Sequence, residues 1–340
     1  VTVLYVLERG AELARLRRSI VVRRFGAEVS RVPLDELDRV VLRGPARVTS
    51  AALAAMLSRR VTILLLAASG APRGRIEPVE SRAAPLRLAQ YQRVASAADA
   101  LEAARAIVCA KLHNQYVALQ RRRRDRPEAG GHEVAGAIVG IRRMIERAEA
   151  ARTIDEVRGA EGQGAECYYR GLRHFLPEGI LFERRIRRPP PDPVNALLGL
   201  MSTLLFGEVL AAVVAGGLDP YLGFLHAPYA GRPSLACDLM EEWRAPIADA
   251  VALALFNRGE IRAADFRAPI PAFGARGLYL TEEGMRTAVR AFETKLEERF
   301  RHEPSGVQVT YRRAIYLQVL AMCRWVRGDV PRYEAFHVQR

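Results

Sequence analysis

The chain has 340 residues, half of them hydrophobic and 26% charged, which excludes a disordered or low-complexity protein and leaves room for two ordinary domains. Fifty-two basic against 38 acidic residues give a formal charge of +14. That excess favours a polyanionic partner, because each phosphate neutralised releases condensed counterions.

The first eighty or so residues read as short strands. TVLYVLE (2–8), SIVVRR (19–24), AEVSRVPL (27–34), LDRVVLRG (37–44) and VTILLLA (61–67) are β-branched and bounded by turn residues. One helix interrupts them at SAALAAMLSRR (50–60), with Thr49 or Ser50 as its cap, and GAPRGRI (70–76) turns back into a final strand. Beyond the PVESRAAPLRL junction (78–88) the texture becomes helical. RLAQYQRVASAADALEAARAIVCAKLHNQYVALQRRRR (87–124) runs without proline or glycine, and further helices are expected over 137–151, 156–176, 194–216, 234–256, 281–300 and 307–328. The fold class expected is α+β: a small β-rich N-terminal domain over residues 1–82, then a larger, mostly α-helical domain over 88–340. The apolar run NALLGLMSTLLFGEVLAAVVAGGL carries Asn195 and Glu208 and ends in glycines, so it reads as a buried helix, with no membrane association expected.

All but two of the basic residues are arginine, the lysines being Lys111 and Lys295. A GC-rich genome accounts for the exchange of lysine for arginine, while the net positive excess still calls for a partner; the guanidinium fork suits phosphate. The four cysteines, Cys109, Cys167, Cys237 and Cys323, form no C-x-x-C pair. They read as small buried hydrophobes in a reducing cytoplasm, and no secretory signal is expected.

Three pieces of the helical region carry candidate chemistry. In RGAEGQGAECYYRGL (158–172), Glu161 stands among glycine and alanine, small neighbours that permit close approach of a backbone or a polyanion. His226 ends the turn DPYLGFLH (219–226). Twelve residues later Asp238, Glu241 and Glu242 sit at i, i+3 and i+4, which on a continuous helix places three carboxylates on one face. A hard divalent cation relieves such repulsion, and Mg²⁺ or Mn²⁺ with carboxylate, imidazole and open water positions suits phosphodiester chemistry. Each piece also has an ordinary structural reading: a helix-packing seam, a satisfied histidine, a solvated acidic face.

In this order the pieces resemble a known family. EGQGA (161–165), RRPPPDPVNALL (187–198), GLDPYLGFLH (217–226), GRPSLACDLMEEWR (231–244) and NRG (257–259) follow the pattern of CRISPR-associated protein 1. AKLHNQ (110–115), LYLTEEG (278–284), YRRAIYLQVLAMCRWVRGD (311–329) and the opening LYVLERGAEL are similar to other segments of that family, so the resemblance covers nearly the whole chain. It implies a metal held by Glu161, His226 and the acid at Glu241, with Asp238 a second acid of the same block. Many members carry aspartate where Glu241 stands, so the resemblance leaves open whether Glu241 or Asp238 reaches the ion, and Glu242 faces nearly the same way. It further implies an integrase that inserts new spacers into a CRISPR array, a homodimer formed through the N-terminal domain, and assembly with CRISPR-associated protein 2 on DNA.

The reaction implied is attack of a DNA 3′-hydroxyl on a repeat-boundary phosphodiester, which needs no protein nucleophile. The rival readings are a metal-dependent nuclease acting on branched or single-stranded DNA, and a DNA-binding scaffold without catalysis. Arg121, Arg122, Arg123 and Arg124 at a helix end, and Arg184, Arg185, Arg187 and Arg188 before the next helix, are candidate phosphate contacts. Arg158 and Arg244 are further candidate DNA contacts, and Arg232, between His226 and Asp238, is the candidate for contact near the scissile phosphate.

Overall fold

The computed structural model describes residues 2–6, 10–43, 45–66, 72–78, 83–186, 189–268, 277–302 and 306–339, with only the backbone described at 2, 38, 43, 66 and 72. The chain divides into two compact units, Val1–Ser81 and Arg82–Arg340. The first is strand-rich and the second mostly helical.

The first unit holds two four-stranded sheets. One has the order β4 (Ala27–Pro33), β3 (Ser19–Arg24), β2 (Glu12–Leu16), β6 (Arg47–Val48); the other has β1 (Thr2–Val6), β5 (Leu37–Arg43), β7 (Thr62–Leu66), β8 (Pro72–Ile76). β1, β5 and β7 run parallel, and β8 returns antiparallel. Alternation at period two builds the core: Ile20 and Val22, Val40 and Leu42, and Ile63 all enter one apolar cluster with Met56 of α1 (Ser50–Ser58). Thr49 caps α1, its hydroxyl oxygen accepting from the Ala52 N–H at 3.2 Å. β2 falls on a stretch not expected to be a strand. Its Leu13 is buried, but Arg15 and the glycine at 10 obscure the alternation.

In the second unit the expected helix over 87–124 is two. Ser96 is extended, closes α2 (Ala84–Ala95) and caps α3 (Ala97–Asp125) by accepting from the Asp99 N–H. The serine that a periodicity count passes over is the breaker. α3, α4 (Gly131–Ala150) and α5 (Ile154–Leu172) pack together through small residues: a Cβ at Gly171 would lie 2.9 Å from Leu119 Cδ1, and one at Gly164 would overlap Leu112 Cδ2. α5 opens with a capping box between Thr153 and Glu156. α6 (Pro193–Gly216), capped by Asp192, is the core helix; among the described residues it alone has the length and apolar composition to cross a membrane, and 67% of its most apolar stretch is buried in the protein. Its Glu208 pairs with Arg312 of α10 (Tyr311–Arg327) at 2.7 Å, so even its acid is spoken for inside the protein.

The largest departure from expectation lies at 234–256. α7 (Ser234–Met240) ends before the second acid; Glu241–Trp243 form a 3₁₀ turn, Arg244–Asp249 a π-helical turn, and only then does α8 (Ala250–Asn257) begin. Pro246 lies in the π turn and has no N–H to continue an α-helical ladder. Two short strands, β9 (Phe266–Arg267) and β10 (Tyr279–Leu280), lead into α9 (Glu282–Glu297). The hairpin of β11 (Arg299–His302) and β12 (Val307–Thr310) takes residues 307–310, expected to be helical, and α10 starts at Tyr311.

The four cysteines are free thiols. Burial pushes the Cys109 thiol up to about 12 and those of Cys237 and Cys323 to about 11, so these three are inert as nucleophiles at neutral pH.

Candidate metal centre

The change of helix type after Met240 sends the three acids to three different places. Asp238 is fully buried and turns toward the 219–226 segment. Its Oδ2 accepts from the N–H groups of Phe224 (2.6 Å) and Leu225 (3.0 Å), and its Oδ1 from the N–H of His226 (3.0 Å) and from His226 Nδ1 (2.6 Å). A carboxylate can only accept, so Nδ1 carries a hydrogen, and in the neutral ring the lone pair is then on Nε2. Gly223 is what lets the carboxylate come so near: a Cβ there would stand 2.6 Å from Asp238 Oδ2 and 2.8 Å from the Ser234 carbonyl carbon.

Glu241 leaves its 3₁₀ turn toward α3 and α5. Its Oε2 lies 2.6 Å from Lys111 Nζ, and its Oε1 accepts from Arg244 Nε at 2.8 Å. The same Lys111 ammonium donates to Glu161 Oε1, so carboxylates from α5 and from the 3₁₀ turn converge on one positive charge. Burial alone would raise the Glu241 carboxyl, but the Arg244 guanidinium and the Lys111 ammonium outweigh it and hold the group well below the usual carboxylate range.

Glu242 points elsewhere. Its Oε1 accepts from the Tyr333 hydroxyl at 2.6 Å and its Oε2 from the Phe336 N–H at 2.7 Å, both in the extended C-terminal segment. Burial pushes its carboxyl up to about 8, the two hydrogen bonds offsetting only part of that. Asn114, one turn beyond Lys111 on α3, binds the same segment: its Nδ2 donates to the carbonyls of Glu242 (2.8 Å) and Phe336 (3.1 Å), and its Oδ1 accepts from the Val338 N–H (2.8 Å). The indole of Trp243 stacks on the Phe336 ring, centroids 4.2 Å apart.

Arg158 stands one turn before Glu161 on α5. Its Nε and Nη2 both donate to the Leu225 carbonyl, at 2.9 and 2.7 Å, so the residue beside His226 is tied to the helix that carries Glu161. Arg244, expected on DNA, is instead nearly buried, paired with Glu241 and donating to Ser202 Oγ at 3.0 Å. Arg232 donates to the Ala227 carbonyl at 2.5 Å and lies over the exposed Tyr229 ring. At the end of α3, Arg121 donates to the Gln339 carbonyl, Arg122 to that of Ala118, and Arg124 lies 3.7 Å from Asp125, while Arg121, Arg123 and Arg124 are exposed. Arg184 is exposed, and Arg185 donates to Asn195 Oδ1 at 2.9 Å; Arg187 and Arg188 lie outside the described residues.

Of the four acids and the histidine named from sequence, the structure brings Glu161 and Glu241 together and gives Asp238 to His226. Among the described residues, no group of three or more His, Cys, Asp or Glu side chains is placed to hold one metal ion. Two converging carboxylates still fit Mg²⁺, which takes one or two carboxylates and completes its shell with water and phosphate oxygens. Lys111 was the residue sequence reading passed over. One of only two lysines in a chain rich in arginine, kept in the apolar middle of a helix, was its available signal.

The family description "CRISPR associated protein Cas1" matches residues 4–294. A relative named CRISPR-associated endonuclease Cas1 3, from Thermus thermophilus, is 36% identical over 342 residues, spanning 100% of this chain and 98% of that protein. Two solved structures share the fold at 22% identity over 100% of this chain: a chain of a Cas6-RT-Cas1–Cas2 complex (TM-score 0.86, 36% of that chain) and a casposase bound to its integration product (TM-score 0.85, 96% of that chain). With a family match over most of its length and a relative this similar from end to end, the chain belongs to the Cas1 family.

Proposed function

We propose that this chain is a metal-dependent DNA integrase that inserts new spacers into a CRISPR array by attack of a DNA 3′-hydroxyl on a repeat-boundary phosphodiester. The observation that carries this reading is the convergence of Glu161 and Glu241 on one cation position within a Cas1-family chain. Those two carboxylates would hold Mg²⁺ or Mn²⁺ with water and phosphate oxygens, and His226 Nε2, which is not grouped with them here, would join as a third donor only by moving toward the ion. A divalent cation held there supplies positive charge to the phosphodiester as its charge builds in the transition state.

The chain's own residues do the positioning. Asp238 sets the tautomer and direction of the His226 ring, and Arg158 ties the His226 turn to the helix of Glu161. Arg121, Arg123, Arg124 and Arg184 offer exposed guanidiniums for phosphate contacts that orient DNA without reading its sequence. A small partner, CRISPR-associated protein 2, and homodimerisation through the strand-rich unit complete the assembly proposed; the fold's occurrence in a Cas1–Cas2 complex supports the first.

A labelled branched DNA that mimics a half-integrated spacer tests the reading. Joined product that requires Mn²⁺ or Mg²⁺, disappears with EDTA, and is lost in Glu161→Gln, Glu241→Gln and His226→Ala while gel-shift binding persists is the expected result. The relatives' name, endonuclease, favours hydrolysis as the second reading. Cleaved ends without joining would establish it, and binding without turnover under any metal would leave a scaffold.

A further inference from the structure

Lys111 is 3% exposed and rises from the middle of α3, where Ile107, Val108, Ala110 and Leu112 are fully buried. An ammonium in such surroundings persists only with partners. It has two, Glu161 from α5 and Glu241 from the 3₁₀ turn. The ammonium donates to Glu161 Oε1 and lies 2.6 Å from Glu241 Oε2, within hydrogen-bond reach of both carboxylates.

The charge count then becomes restrictive. Glu161 and Glu241 are balanced by Lys111 and by Arg244, whose guanidinium is held in place by Ser202. A divalent cation added to this neutral set would stand beside two fixed positive charges within a few ångströms, where like charges repel strongly. Arg244 is held at two points, by Glu241 and by Ser202; Lys111 is a point charge on a flexible four-carbon stem and is the group able to withdraw.

We propose that Lys111 is the resident counter-ion of the Glu161–Glu241 pair and competes with the divalent cation for those same two carboxylates. Lys111 thereby keeps the carboxylates converged and sets how tightly the centre takes metal. This rests on the reading that the pair is the metal site.

The test is Mn²⁺ binding to the full chain, measured by calorimetry and by electron paramagnetic resonance of free Mn²⁺, for wild type, Lys111→Met, Lys111→Arg and Glu241→Gln. Lys111→Met removes the competing charge and should bind Mn²⁺ more tightly by about tenfold or more. In EDTA it should melt below wild type, and Mn²⁺ should raise its Tm by more than it raises that of wild type. Equal or weaker Mn²⁺ binding by Lys111→Met, with native helical content by circular dichroism, overturns the proposal. Should Lys111→Met not fold, Lys111→Arg decides: it keeps the positive charge, so binding no tighter than wild type supports competition and tighter binding overturns it. Glu241→Gln separates the two levels. If it loses Mn²⁺ while Lys111→Met is unchanged, only the competition fails; if it binds as wild type does, the metal-site reading fails and takes this inference with it.

Discussion

Asp238 holds His226 at two points, accepting from its backbone N–H at 3.0 Å and from its ring Nδ1 at 2.6 Å with the same oxygen. The other oxygen caps two further N–H groups of the turn, so one buried side chain fixes both the path of the backbone and the tautomer of the imidazole. Replacing Asp238 by alanine leaves these donors unpaired in the interior and should destabilise the protein by about 2–4 kcal/mol. Urea denaturation measures that loss, and DNA joining should fall even at temperatures where the variant remains folded.

The glycines flanking the centre should respond in opposite directions. Gly223→Ala drives a methyl group against Asp238 and Ser234 and should cost about 1–3 kcal/mol together with joining activity. Gly162, beside Glu161 on α5, has nothing within 4 Å of its would-be Cβ. Gly162→Ala should therefore stabilise the helix by about 0.5–1 kcal/mol. Thermal unfolding of both variants checks the contrast. If DNA approaches Glu161 over this open face, Gly162→Ala loses joining while gaining stability.

Glu242 gives a pH dependence of defined sign. Its carboxyl is near 4.5 when unfolded and pushed up to about 8 by burial, so between those values the folded state holds a proton that the unfolded state has released. Stability contributed by this group is greatest below about 4.5 and is lost as pH rises toward 8. Glu242→Gln, which stays neutral, should flatten that part of the profile and be more stable than wild type relative to it at pH 8 and above. Denaturation midpoints at a series of pH values measure the difference in slope.

Arg244 and Glu241 form a nearly dry pair, with Arg244 Nε 2.8 Å from Glu241 Oε1. Arg244→Met leaves a buried carboxylate with Lys111 as its remaining cation and should cost about 3 kcal/mol. The measurement that matters is DNA affinity by gel shift at several salt concentrations. A residue buried against Glu241 should leave the salt dependence unchanged, whereas an exposed arginine such as Arg123 should reduce it by about one unit of slope when replaced.

Much of the architecture was legible because its signals are local. Strands β3, β5 and β7 declare themselves by β-branched runs, α5 by apolar residues at helical spacing and α6 by its long apolar run. The break at Ser96 and the end of α7 were not legible, because both depend on a single residue whose capping or ring geometry outweighs a favourable surrounding pattern. Glu161, His226 and the group Asp238, Glu241 and Glu242 are candidates by residue type and spacing, and only the family resemblance singles out Glu241 among the three acids. The acids' shared face did not survive, since it assumed a helix that runs unbroken through Pro246.

By itself, then, the sequence determined the order of strand-rich and helical units and the basic balance, and it offered a short roll of acids and one histidine as candidates for holding a cation. Only the tertiary structure decided their partners: Asp238 for His226, Glu242 for the C-terminal segment, and Glu241 for Glu161 through Lys111. Spacing along a chain constrains direction only while one helical geometry persists. Once the turn tightens to 3₁₀ and widens to π, neighbouring carboxylates diverge, and the partner each meets is set by the tertiary fold: the preceding turn for Asp238, α3 and Arg244 for Glu241, the C-terminal segment for Glu242.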